Sequence, residues 1–83
     1  MSAMNILVVE DEKKLALFIS KALQERGFAV TVTHNGDDAD TLVRLESFDL
    51  IVLDIMLPGI NGYEICRCLR KEGIDTPTIM LTA

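Results

Sequence analysis

The sequence predicts an α/β protein built on an open parallel sheet, and three observations carry that expectation. Two runs, Ile6 to Val9 and Leu50 to Leu53, are continuously apolar rather than alternating, as in strands covered on both faces. Stretches with helical spacing separate the strand candidates, which implies βαβ crossovers. The apolar runs also end in carboxylates, Glu10 and Asp11 after the first and Asp54 after the second, as if they shared one functional rim.

Taken in order, the first strand spans Asn5 to Val9 and ends in Glu10, Asp11 and Glu12. A helix over about 13–26 follows, with Leu15, Phe18, Ile19, Ala22 and Leu23 spaced to form its core face and Gly27 as its C-terminal cap. The second strand, about 29–33, alternates Val30 and Val32 with Thr31 and Thr33, which suits a sheet edge. His34, Asn35 and Gly36 read as a turn, with His34 solvated. A helix over about 37–46 is expected from Ala39, Leu42 and Val43 and from aspartates in its first turn.

The third strand delivers Asp54 and breaks into a loop in which Pro58, Gly59 and Gly62 serve geometry rather than chemistry. A third helix, about 63–71, is expected to bury Ile65, Leu69 and one cysteine, with Tyr63 packing at its start and Gly73 ending it. The last strand, about 78–81, is again continuously apolar and closes with Thr82 and Ala83. It has the pattern of an interior strand, yet nothing follows to cover its outer edge.

Composition narrows the function. The 83 residues, 49% hydrophobic and 25% charged, fit one small soluble domain over residues 1–83. A net charge of −5 argues against a nucleic-acid-binding surface. No apolar run approaches the ~20 residues of a membrane span, and the start lacks a signal-peptide pattern, so the expected location is cytoplasmic. Cys66 and Cys68 face different directions on a helix and are expected to be structural thiols. No glycine-rich phosphate-cradling motif is present.

In a parallel sheet the strand ends share one rim. With strand order 2-1-3-4, Asp54 falls between the acidic pair Glu10 and Asp11 and the hydroxyl of Thr82. Crowded carboxylates need a cation, and an all-oxygen set suits Mg²⁺ or Mn²⁺ rather than Zn²⁺. In that setting the Asp54 carboxylate can attack phosphorus while Thr82 donates to a phosphoryl oxygen. The competing assignment for Asp54 is a helix N-cap, but the nearest helix starts some residues later. For Glu10 and Asp11 it is the first turn of the following helix, a role compatible with metal binding.

The stretches VVEDE, DLIVLDIMLPGINGYE and PTIMLTA together resemble the response-regulator receiver domain of two-component signalling, from Asn5 to Ala83. The resemblance implies a flavodoxin-like fold in which Asp54 accepts a phosphoryl group from a sensor histidine kinase. It implies that Asp11 and Asp54 bind Mg²⁺ with the main-chain carbonyl of Met56, and that Glu10 acts through a water. Thr82 resembles the hydroxyl residue that moves toward the phosphoryl group on activation. A C-terminal, DNA-binding output domain is the implied partner in the full-length protein. Such a module is a phosphoacceptor that assists its own phosphorylation, not a turnover enzyme.

Receiver domains continue through a fifth strand, whose terminal lysine pairs with the phosphoryl group, and two further helices; those elements are lacking here. The alternative expectation is therefore a truncated, signalling-incompetent receiver that self-associates through the uncovered strand 78–82. A phosphohydrolase of the haloacid dehalogenase type is disfavoured, because the second aspartate it needs two positions after the nucleophile is Met56.

Overall fold

The computed structural model describes residues 3–81. Strand and helix alternate throughout: β1 (Asn5–Val9), α1 (Lys13–Glu25), β2 (Ala29–Thr33), α2 (Gly36–Leu45), β3 (Leu50–Asp54), α3 (Gly62–Lys71) and β4 (Thr78–Leu81). The strands form one parallel sheet in the order β2-β1-β3-β4, as expected, with β2 at an edge. Thr82 lies outside the described residues.

The pleat explains the continuous apolar runs. Leu7 and Val9 of β1 and Ile51 and Leu53 of β3 point to one face, where Ala39 and Val43 of α2 and Ile65 and Leu69 of α3 cover them. Ile6, Val8 and Val52 point to the other face, against Ile19 and Leu23 of α1. All four residues Ile6 to Val9 are 0–1% exposed, so β1 is apolar at every position because it feeds both layers. Each such side chain contributes about 1.5–3 kcal/mol by burial.

Helix α1 corrects the expected stripe. Ala16 and Ser20 are the buried residues, with Ile19 and Leu23 half-buried, whereas Leu15 is 38% and Phe18 72% exposed and Ala22 is also exposed. The helix is turned so that its small residues lie closest to the sheet. The branched side chains Ile6, Val8, Val30 and Val32 already fill that face, and leave room beneath the helix axis for Ala and Ser rather than Phe. Tyr63, expected to pack at the start of α3, is likewise exposed. Cys66 is half-buried and Cys68 exposed, both as free thiols.

Helices α2 and α3 begin with the same device. Asn35 and Asn61 accept hydrogen bonds from the main-chain N–H of Asp38 (2.8 Å) and Glu64 (3.0 Å), satisfying one otherwise unpaired donor at each helix start. At the opposite end of the sheet Asp49 brackets the start of β1: its carboxylate accepts from the Asn5 N–H at 2.7 Å and its own N–H donates to the Asn5 carbonyl at 2.7 Å.

The loop joining β3 to α3 folds back on the strand end. Leu57 is buried in the core shared with α2 and α3, Gly59 takes the left-handed conformation (φ 80°), and the Gly62 N–H donates to the Ile55 carbonyl at 3.1 Å. Gly62 is needed for close approach rather than for an unusual φ: a Cβ there would lie 2.8 Å from the main-chain oxygen of Asp54 and 3.1 Å from Cα of Ile55. Both contacts are backbone and cannot swing aside. Gly62→Ala is therefore expected to destabilise the fold by about 1–3 kcal/mol through overpacking, reversing the gain that Gly→Ala usually brings within a helix. Denaturant melts of the two proteins check the sign.

Candidate functional site

Parallel register assembles the site. Val9 and Leu53 are paired neighbours, so the residues that follow, Glu10 and Asp54, emerge side by side at the rim, with Asp11 next to them. One carboxylate oxygen from each of Glu10, Asp11 and Asp54 lies within 4.8 Å of the others. They line a cleft of about 410 Å³ together with Glu12, Leu15, Met56 and Leu81.

The three acids differ in environment. Glu10 is only 4% exposed, and its Oε2 is buried without a hydrogen-bond partner. Asp54 is half-buried and its Oδ1 accepts from the Met56 N–H at 3.0 Å. Asp11 is exposed. Burial pushes the Glu10 carboxyl from 4.5 up to about 7, and hydrogen bonding and charge from Asp54, then the charge of Asp11, push in the same direction.

An orphaned buried carboxylate oxygen beside two more carboxylates, with no nitrogen or sulfur donor among the clustered ligand atoms, fits a hard divalent cation such as Mg²⁺ or Mn²⁺. Of the other candidates, Met56 reaches the site through its main-chain contact to Asp54, with its side chain 71% exposed on the cleft wall. Glu12 stands at the N-cap of α1, exposed and making no side-chain capping bond. Thr82, beyond Leu81, is not among the described residues.

Two contributors escaped the sequence. His34, expected to be solvated, is half-buried, and its Nδ1 lies 2.9 Å from the Glu10 carbonyl oxygen. That partner was out of reach of any local pattern, being 24 residues away. Gly62 was legible as a loop residue, but its contact with the Asp54 main chain depends on how the loop closes.

The raised Glu10 carboxyl has a consequence for stability. Between about pH 4.5 and 7 the unfolded chain has released this proton while the folded chain still holds it, so rising pH favours unfolding across that window and has no further effect above it. In metal-free protein Glu10→Gln, a neutral isostere, is expected to remove this part of the slope in thermal melts followed against pH.

Known proteins that resemble this chain share one family. Residues 6–83 match the family model described as the response regulator receiver domain. The transcriptional regulatory protein TcrA of Mycobacterium tuberculosis is 45% identical over 82 residues, 99% of this chain and 32% of the relative. CusR of Escherichia coli, also a transcriptional regulatory protein, is 45% identical over 80 residues, 96% of this chain and 35% of its own length. The chain thus spans about a third of the curated relatives it matches. Among solved structures, the receiver domain of the Francisella response regulator 1452 superposes with a TM-score of 0.94 at 39% identity, covering 96% of this chain and 66% of that one. Response regulator TrrA of Thermotoga maritima, solved in complex with Mg²⁺-BeF, gives a TM-score of 0.91 at 38% identity over 96% of this chain and 70% of its own. With the sheet order, the acidic rim and these matches in agreement, the chain belongs to the response regulator receiver domain family.

Proposed function

We propose that this chain is a phosphoacceptor module in which Asp54 takes a phosphoryl group from the phosphohistidine of a sensor histidine kinase. The observation that carries the proposal is the convergence of Glu10, Asp11 and Asp54 within 4.8 Å at adjacent strand ends. Asp11, Asp54 and the Met56 main-chain carbonyl would hold Mg²⁺ or Mn²⁺, with Glu10 acting through a water. The ion, when bound, supplies positive charge against the phosphoryl oxygens.

The chain's own part is positioning. The Met56 N–H donates to Asp54 Oδ1 and so fixes the plane of the carboxylate for attack. As the Asp54–phosphorus bond forms, the phosphorus–nitrogen bond to the kinase imidazole breaks, and the imidazole leaves with the electron pair and takes up a proton. Thr82 would donate to a phosphoryl oxygen once the group is transferred. The module assists its own modification and does not turn over a substrate. A cytoplasmic location and a DNA-binding output domain in the full-length protein follow from the same proposal. Among the described residues no helix is long and apolar enough to cross a membrane.

With a small acyl-phosphate donor and Mg²⁺, intact-mass measurement is expected to show one added phosphoryl group, mapped to Asp54, and Asp54→Asn is expected to abolish it. Labelling that survives in the variant overturns the assignment.

A second reading is favoured by one observation. Phe18 is 72% and Ile79 52% exposed, and β4 pairs with β3 on one side while no described strand lies on the other. The 83-residue chain would then associate with a second copy through the β4 edge, where Ile79 is exposed. Sedimentation velocity is expected to show a concentration-dependent dimer that Ile79→Lys weakens; a monomer at every concentration rules the association out.

A further inference from the structure

We infer that His34 is a positioning residue for the acidic rim, acting through the main chain of Glu10; this rests on the metal-binding reading of that rim. The β1–β2 ladder pairs Val9 with Thr33, and one further rung runs from the Glu10 N–H to the Thr33 carbonyl at 3.1 Å. Continuing a parallel ladder, the Glu10 carbonyl would take its donor from the backbone two residues beyond Thr33. There the chain bends into α2, with Asn35 as the N-cap, and the described main-chain bonds include none from the Asn35 N–H to the Glu10 carbonyl. The ring of His34 takes over the missing rung: its Nδ1 lies 2.9 Å from the Glu10 carbonyl oxygen. A carbonyl only accepts, so Nδ1 carries the proton.

Both peptide groups of Glu10 are thereby tied to the end of β2, one by backbone and one by this ring. The Glu10 carbonyl belongs to the peptide that leads into Asp11, so the contact sets the orientation of the plane between two of the three clustered carboxylates. The ring is confined in turn, lining a groove with Lys13, Leu17 and Ser20 of α1 and Val32 of β2. A side chain that touches neither metal nor phosphorus thus holds the backbone from which two acidic residues project.

The test compares Mg²⁺ binding by calorimetry for the 83-residue chain, His34→Phe, which keeps a ring but no donor, and His34→Asn, whose amide can donate from nearly the same place. Affinity is expected to fall about tenfold in His34→Phe, the lower end of what residues that orient metal ligands from behind contribute, and to return to within about twofold of the parent in His34→Asn. Equal affinity in His34→Phe and the parent overturns the inference, as does equal loss in both variants. Ring ¹⁵N NMR on the unsubstituted, metal-free chain at about pH 9, where histidine is neutral, requires no variant to fold. The Nδ1–H tautomer is expected, and an Nε2–H tautomer overturns the inference. A parent chain that binds no Mg²⁺ would instead count against the reading of the rim, while the tautomer still judges the contact itself.

Discussion

Like charge held at close range is the constraint on which the rest of this structure depends. Three carboxylate oxygens within 4.8 Å repel one another by about 3.5 kcal/mol or more per ionised pair at an effective dielectric of about 20. What forces them together is the register of β1 against β3, and that register is enforced by burial. Seven strand residues, Ile6 to Val9 and Ile51 to Leu53, are at most 9% exposed, each contributing about 1.5–3 kcal/mol. Hydrophobic burial therefore outweighs the repulsion, which leaves the rim folded and adds to the upward displacement that burial itself gives the Glu10 titration.

Around that rim, backbone packs on backbone. Gly62 lies against the Asp54 carbonyl, and Gly36, at the start of α2, lies where a Cβ would meet the Ile60 carbonyl at 2.5 Å. The start of α2, the β3–α3 loop and the phosphoacceptor candidate thus form a continuous stack of main-chain contacts. Leu57 anchors the loop from below in the core, while Pro58 and Gly59 stay exposed above it. Such a loop can shift as a unit but has little room to shift within itself.

The strands were the most legible part of the sequence, since an interior parallel strand is apolar at consecutive positions and β1, β3 and β4 have that pattern. Glu10, Asp11 and Asp54 were legible for the same reason, as charges at the ends of core strands. The side of α1 that meets the sheet was not. Leu15, Phe18, Ile19, Ala22 and Leu23 satisfy helical spacing as well as Ala16, Ile19, Ser20 and Leu23 do, and the choice between them is made by the bulk of the opposing strand residues, which spacing does not encode. His34 was misread because its partner is a main-chain atom just beyond the end of β1, 24 residues away. Asn35 and Asn61 show the intermediate case: each carries a local capping signal that lay unread inside a turn motif.

The double role of β1 also bears on how the molecule breathes. Its side chains alternate between the two cores, so separating β1 from its neighbours empties both layers at once, whereas α1 or β4 can lift away from one. The Glu10 amide is bonded to the Thr33 carbonyl immediately after this strand. In hydrogen-exchange terms the amides of β1, from which the acidic rim hangs, are expected to be the best protected, and those of α1 to exchange before them. The acids of the cleft are thus mounted on the element packed on both faces, while its walls at Leu15 and Leu81 belong to α1 and β4, so opening of either would widen the cleft without displacing the β1 end that carries Glu10 and Asp11.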